Sequence, residues 1–395
     1  MDKVIQKSHY QFLENFIKSH MNRLLTERVY IFGAGVRGCN LLTLLRQFKI
    51  PDIKFVDNNP KKQGKKIEEC PVISFEEADK YKGKKVFLCQ IEYGSEIIEQ
   101  LKKNGKIENV DYFNLDFDFT DYRDVIEELK SPVEKYAVLL GNCVFSSYIL
   151  GEGVTKSLGE NLKDKFYKGK CKLISLPGLS SPIYYFSLLA LKKTQSKVPN
   201  LIFLSMEMSC ISPYAPMLLG KQVYMQHVNF VEQLQTILEP DSEVETHLHL
   251  LNHRLQQSLK GKKILKADSL EENRRTVYEL KYQYEIDDQN ENIVYTKKIL
   301  EFASENNIPV ILFFPPVDYL LAENICGKQF LSRYRTNIRN MQSMLQSYEF
   351  EYIDASTLVK SDGFVQQITS PDINPWLNKK GQDIVMEFLD RNLSI

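Results

Sequence analysis

The chain has 395 residues, 43% hydrophobic and 26% charged, enough for two or three ordinary domains. Lys plus Arg and Asp plus Glu both number 51, so the formal net charge is zero and no global field draws the chain toward nucleic acid or an anionic membrane. No apolar run approaches the roughly 18 residues that span a bilayer.

The N-terminal MDKVIQKSHYQFLENF has no signal-peptide core, so a cytoplasmic location is expected. Seven scattered cysteines, an odd number, suit free thiols in a reducing compartment. No cysteine pair has zinc spacing. His249 and His253 share a helical face near His247 but lack an HExxH context, so no metal is expected.

Periodicity predicts a helix over 4–25, with Ile5, Phe12, Phe16, Ile17 and Leu24 on its apolar side. Residues 28–57 then read RVYIFGAGVRGCNLLTLLRQFKIPDIKFVD. An apolar strand runs into Gly33, Gly35 and Gly38, a helix follows, and a second strand ends in Asp57. The first glycine permits a tight turn and the second lets a diphosphate approach the backbone. The third lets helix pack on strand, and an acid 19 residues after Gly38 can accept hydrogen bonds from a ribose. The ligand expected here is a nucleotide-sugar or a dinucleotide. A related fold that has lost its ligand gives the same pattern. Asn58–Gly64 reads as a turn-rich loop. Lys84–Cys89 reads as a strand, Ser95–Asn104 as a helix and Val110–Phe113 as a closing strand.

The segments IFGAG…G, FVDNNPKKQGKKI, CPVIS and KKVFLC resemble a small Rossmann-like domain of bacterial polysaccharide and glycan enzymes. The resemblance covers about 28–116. It implies binding of a nucleotide-sugar and not a nicotinamide cofactor.

Residues 118–135 alternate in charge and read as a linker helix. A new strand at Tyr136–Leu140 ends in Gly141-Asn142-Cys143, and a helical pattern follows. A thiol at a helix start is acidified, and neighbouring N–H groups can hold an oxyanion, so Cys143 is a candidate nucleophile. A buried thiol without chemistry fits the same position. Further strands are expected near 171–176, 200–205, 309–314 and 350–354. A long polar helical segment spans about 220–305. Tyr184, Tyr185 and Phe186 read as the core side of a helix, and Pro315-Pro316 as a loop after a strand. Arg274, Arg275 and the group Lys260, Lys262 and Lys263 read as solvated surface.

Together GNC, ISLPGLSSPIYY, NLIFLSMEMS, IPVILFFPPVDY and FEYIDAS resemble the SGNH/GDSL hydrolase family over about 136–395. The later strands look like the branch containing the teichoic-acid D-alanylation and alginate O-acetylation proteins. The Gly-Asn-Cys setting also resembles divergent capsule-biosynthesis acyltransferases. The resemblance puts Cys143 in the nucleophile position and gives Asn142 and Gly178 oxyanion roles. Ser205, Glu207 and Ser209 stand in the third block. Counting back from Gly381, Trp376 occupies the place of the family's His and Ile373 that of its Asp, with Asp372 one residue out of register. No His follows His253. A base must then come from His227, His247, His249 or His253, or the thiol needs none, or the site is silent.

The expected architecture is α/β. An N-terminal helix over 1–26 precedes a small open parallel sheet over 27–117 and a linker helix over 118–135. A three-layer SGNH- or flavodoxin-like domain fills 136–395, with its helical insertion near 220–305. The expected activity is acyl transfer or ester hydrolysis in surface-polysaccharide or related glycan biosynthesis. The expected substrate is a small molecule or glycan. No nucleic acid and no membrane span are expected, and self-association stays open. The alternatives are a catalytically silent binding or scaffold protein and an NAD-dependent oxidoreductase resting on Asp57.

Overall fold

The computed structural model describes residues 3–90, 95–117, 119–151, 153–165, 170–239, 241–259, 269–365 and 376–393. The chain divides into two compact units. Unit 1 is Met1–Asp118 with Leu150–Val154, and unit 2 is Phe119–Ile149 with Thr155–Ile395.

In unit 1, strand β1 (Lys3–Gln6) and helices α1 (Lys7–Ser19) and α2 (Met21–Thr26) replace the single helix expected over 4–25. The break falls at His20 (φ −111°, ψ 15°), where the Phe16 carbonyl accepts from the His20 N–H at 3.1 Å and from the Ser19 hydroxyl at 2.9 Å. There follow β2 (Arg28–Phe32), α3 (Val36–Gln47), β3 (Ile53–Val56), β4 (Lys66–Ile67), β5 (Cys70–Ile73), α4 (Phe75–Lys80), β6 (Lys85–Cys89), α5 (Ser95–Lys103) and β7 (Tyr112–Asn114). The sheet order is β4-β5-β3-β2-β6-β7, parallel except where β4 meets β5. That β4–β5 hairpin turns through Glu68 and Glu69 at φ +50° and +59°, without the Asn-Gly or Asp-Gly signal that would announce it. Strand order reverses between β2 and β6, which opens a crevice outside their carboxyl ends.

Unit 2 begins with α6 (Asp121–Lys130), β8 (Ala137–Gly141) and α7 (Cys143–Ser146). Strands β9 (Ser147–Gly151) and β10 (Gly153–Thr155) run through the Leu150–Val154 segment assigned to unit 1, after which unit 2 resumes with α8 (Leu158–Lys165), β11 (Cys171–Ser175), α9 (Ser181–Thr194) and β12 (Leu201–Ser205). The short α10 (Met208–Ile211) and α11 (Ala215–Leu218) lead to α12 (Lys221–Leu238), α13 (Ser242–Leu259), α14 (Leu270–Tyr282) and α15 (Glu291–Glu305). Then come β13 (Val310–Phe314), α16 (Tyr319–Cys326), α17 (Phe330–Leu345), β14 (Glu351–Asp354) and α18 (Lys379–Asn392).

The five core strands are all parallel in the order β11-β8-β12-β13-β14. AVLLG, LIFLS and VILFF are buried along their whole length, as strands covered on both faces must be. One face packs on Ile183, Phe230, Ile299 and Met341 from α9, α12, α15 and α17. The other packs on Leu158, Leu162, Val385 and Leu389 from α8 and α18. This is a three-layer α/β unit with a helical segment between its third and fourth strands, the class the strand–helix alternation predicts. Helix α6 buries Val125, Ile126 and Leu129 in the first of these cores. Its C-terminal carbonyls are met by Lys172 Nζ, which donates to the carbonyls of Glu128 and Ser131 at 2.5 Å each.

Candidate functional site

The six-stranded and the five-stranded sheets each have one reversal of strand order, and sequence-predicted residues lie at both. In unit 1, Gly33 turns the chain out of β2 at φ +104°. Gly35 has φ −107°, and a Cβ added there would meet nothing within 4 Å. At Gly38 an added Cβ would lie 2.0 Å from the Gly33 carbonyl oxygen and 3.2 Å from the Phe55 ring. The absent side chain at Gly38 is therefore what lets α3 seat against the turn.

Asp57 Oδ2 accepts from the Ala34 backbone N–H at 2.9 Å and from Lys62 Nζ at 3.0 Å, while Oδ1 accepts from the Asn59 N–H at 2.9 Å. Burial alone would raise this carboxyl. The bonds from Asn59, Lys62 and Ala34 outweigh it and hold the pKa below its ordinary value. The acid thus braces the glycine turn. Helix α1 adds a group no motif announced: buried His9, bonded to Gln90 at the end of β6 and stacked on Phe117 at 5.7 Å. Burial, aided by Arg37, pushes His9 down to about 3, so it is neutral.

In unit 2 the reversal lies between β8 and β12, where Leu140 is beside Leu204. Asn142-Cys143 and Met206-Glu207 therefore leave the sheet side by side. Buried Asn142 accepts from the Val144 N–H on Oδ1 at 3.1 Å, and its Nδ2 donates to Cys210 Sγ at 3.2 Å. The Ser175 hydroxyl donates to the Asn142 carbonyl at 2.8 Å. Cys143 is 9% exposed.

The helix expected after Cys143 proves to be the single turn α7, and the chain returns at once to a strand. The cause is local. Phe145 is fully buried, its ring lying where a Gly141 side chain would be, and the run Tyr148-Ile149-Leu150 suits an extended chain. A four-residue turn carries little macrodipole, so a helix-terminus argument for acidifying Cys143 does not hold.

Gly178, Cys210, Tyr224, His227, Arg254 and Glu291 line a cavity of about 370 Å³ outside the carboxyl ends of β11 and β12. Gly178 has φ +71°, and its N–H meets no acceptor among the described residues. His227 Nε2 lies 2.8 Å from the Pro177 carbonyl oxygen, and burial pushes its pKa down to about 4. Buried His247 places Nδ1 3.5 Å from the Glu291 carboxylate, which Arg254 also meets at 3.5 Å. Burial would raise Glu291, but these two partners win and lower it. His249 and His253 are exposed. Ser205, Glu207 and Ser209 are all buried, and the Ser209 hydroxyl bonds to the Glu207 carboxylate. Burial drives the Cys210 thiol well above its ordinary pKa.

Cys210 and Arg254 are the residues that sequence reasoning missed. The first closes the SMEMSC segment and the second sits in a polar helix, so neither carried a motif.

Asp372 and Ile373 lie outside the described residues, as do Lys260, Lys262 and Lys263. Trp376 is partly buried, with its Nε1 buried and unpartnered among the described residues. The helix start is as expected: Asn378 Oδ1 caps α18 by accepting from the Gly381 N–H at 3.0 Å. Tyr184 and Phe186 are core residues and Tyr185 is only partly buried. Arg275 Nε donates to the Ile325 carbonyl at 3.1 Å. None of the seven cysteines is in a disulfide. Among the described residues, no cluster of three His, Cys, Asp or Glu is placed to hold a metal, and no helix is long and apolar enough to cross a membrane.

Residues 25–110 match the family model "C2185-like, N-terminal". No curated protein matches the sequence. Among solved structures the chain is similar to a candidate acylhydrolase from Bacteroides fragilis, at 14% identity, with 69% of this chain and 93% of that one covered and a TM-score of 0.31. It is likewise similar to a GDSL-like lipase from Bacteroides thetaiotaomicron, at 13% identity, with 69% and 97% covered and a TM-score of 0.31. At such scores the fold assignment stands on the strand order itself.

Proposed function

We propose that unit 2 is an acyl-transfer or ester-cleaving enzyme of glycan biosynthesis with Cys143 as nucleophile. In this reading the glycine turn of unit 1 binds a nucleotide or nucleotide-sugar. The observation that carries the first half is the strand reversal at β8 and β12. It brings Asn142 and Cys143, at the end of β8, beside the end of β12, where Asn142 Nδ2 donates to Cys210 Sγ, and Cys210 lines the cavity together with Gly178. Ligands of open α/β sheets bind at such reversals. Gly178 would donate to the tetrahedral oxyanion, with the second N–H of Asn142 Nδ2 as its partner.

Limiting iodoacetamide on native protein, followed by peptide mapping, tests this. Exposure alone favours Cys326 or Cys210 over buried Cys143. Burial, however, pushes Cys326 up to about 11 and Cys210 well above its ordinary value, so both stay protonated at neutral pH. An activated Cys143 should label first, and labelling of Cys326 first would favour a silent site. A binding module is the second reading. It is favoured by Trp376, whose indole can donate but cannot accept a proton.

The oxidoreductase alternative has only Asp57, already bonded within its own turn. Gly35→Val tests the nucleotide site. Valine accepts φ −107° and its first side-chain atom meets open space, so the melting temperature should move by only a few degrees. Binding of a nucleotide-sugar such as UDP-glucose should fall at least 10-fold by calorimetry. Equal binding by both proteins would remove the glycine turn from the site.

A further inference from the structure

We propose that His227, supplied by helix α12, is the proton acceptor of the 370 Å³ cavity, taking the proton from a substrate hydroxyl at Nδ1. This rests on the acyl-transfer reading above. A carbonyl oxygen can only accept, so the 2.8 Å contact with Pro177 requires a hydrogen on Nε2. The neutral ring then leaves Nδ1 as a lone-pair acceptor. Nδ1 has no hydrogen-bond partner among the described residues, and His227 lines the cavity with Gly178 and Cys210.

The surroundings keep the ring neutral. Burial dominates and outweighs the Pro177 hydrogen bond, which favours the charged ring, and the neighbouring His247 and Arg254 also oppose a further positive charge. The carboxylates at this cavity are Glu285, Asp287 and Glu291. Glu291 is already engaged by Arg254 and His247. An acceptor nitrogen whose other nitrogen is fixed by a hydrogen bond is the arrangement a general base needs. No histidine follows His253 in the chain, so α12 fills a role the C-terminal segment cannot.

The oxygen of R–OH attacks the thioester carbonyl on Cys143 while its proton moves to Nδ1. The tetrahedral intermediate collapses, the C–S bond breaks, and the proton passes from Nδ1 to the departing thiolate. The products are R–O–acyl and the free thiol.

His227→Gln isolates the role, because the Gln amide can keep the N–H bond to Pro177 while no basic nitrogen remains. Full-length protein would be acetylated with S-phenyl thioacetate, and transfer to methanol and to hydroxylamine compared. Hydroxyl transfer depends on a base, whereas hydroxylamine is already a strong nucleophile. We expect transfer to methanol to fall about 100-fold and transfer to hydroxylamine less than 5-fold. A parallel loss with both nucleophiles, or no loss with either, overturns the role of His227 and leaves Cys143 standing. Absence of any Cys143-dependent acetylation in the wild type overturns the acyl-transfer reading and this role with it. Independently, ¹⁵N imidazole shifts should show Nδ1 unprotonated at pH 7, and a protonated Nδ1 would overturn the inference directly.

Discussion

Gly38→Ala should destabilise unit 1 by about 3 kcal/mol, the upper end of what overpacking costs. The added methyl would stand 2.0 Å from the Gly33 carbonyl oxygen. That neighbour is backbone, in a turn already held at φ +104° and tied by the Gly33 N–H to the Val56 carbonyl at 2.7 Å. No side chain can swing aside, so α3 must lift off the sheet. Leu41, Leu42, Leu44 and Leu45, all fully buried on that helix, would lose packing with it. Gly35→Ala is the matched control, since its Cβ meets nothing within 4 Å. Urea titration of the two variants beside the wild type reads the difference. Gly38→Ala should unfold at a clearly lower midpoint and Gly35→Ala close to the wild type. Coincident midpoints for all three would contradict the packing described here.

The parallel strands were legible because fully buried strands leave a continuous apolar signature. VFLC, AVLLG, LIFLS and VILFF could hardly be placed elsewhere, and they fall within a residue of expectation. The glycine turn was legible because backbone geometry demands particular residues there. What stayed hidden depends on side chains meeting across long separations. Cys210 matters through a bond to Asn142, 68 residues away. His9 meets Gln90 across 81 residues, and Lys172 closes the end of α6. The hairpin through Glu68 and Glu69 was missed because positive φ at two glutamates has no sequence signal. The length of α7 was missed because the core position of Phe145 decides it, and not local propensity.

Cys143→Ala should abolish acyl transfer, a loss of roughly 1,000-fold or more, since removing a nucleophile removes the covalent route entirely. On the proposed acyl-transfer reading, a thiol would serve where a hydroxyl would fail. A thiol is a few per cent thiolate at neutral pH and attacks without a tightly coupled base, which suits a chain with Trp376 where the resemblance expects a histidine. Cys210 is no substitute, because burial holds its thiol protonated and its sulfur already accepts from Asn142. The alanine should fold normally, because Cys143 is a small side chain with slight exposure at the end of a strand. The decisive measurement is intact-protein mass spectrometry with peptide mapping after incubation with S-phenyl thioacetate. Nucleophilic Cys143 requires one acetyl group on Cys143 in the wild type and none in Cys143→Ala. Acetylation at Cys210 or Cys326, or unchanged thioester turnover in the variant, would contradict it.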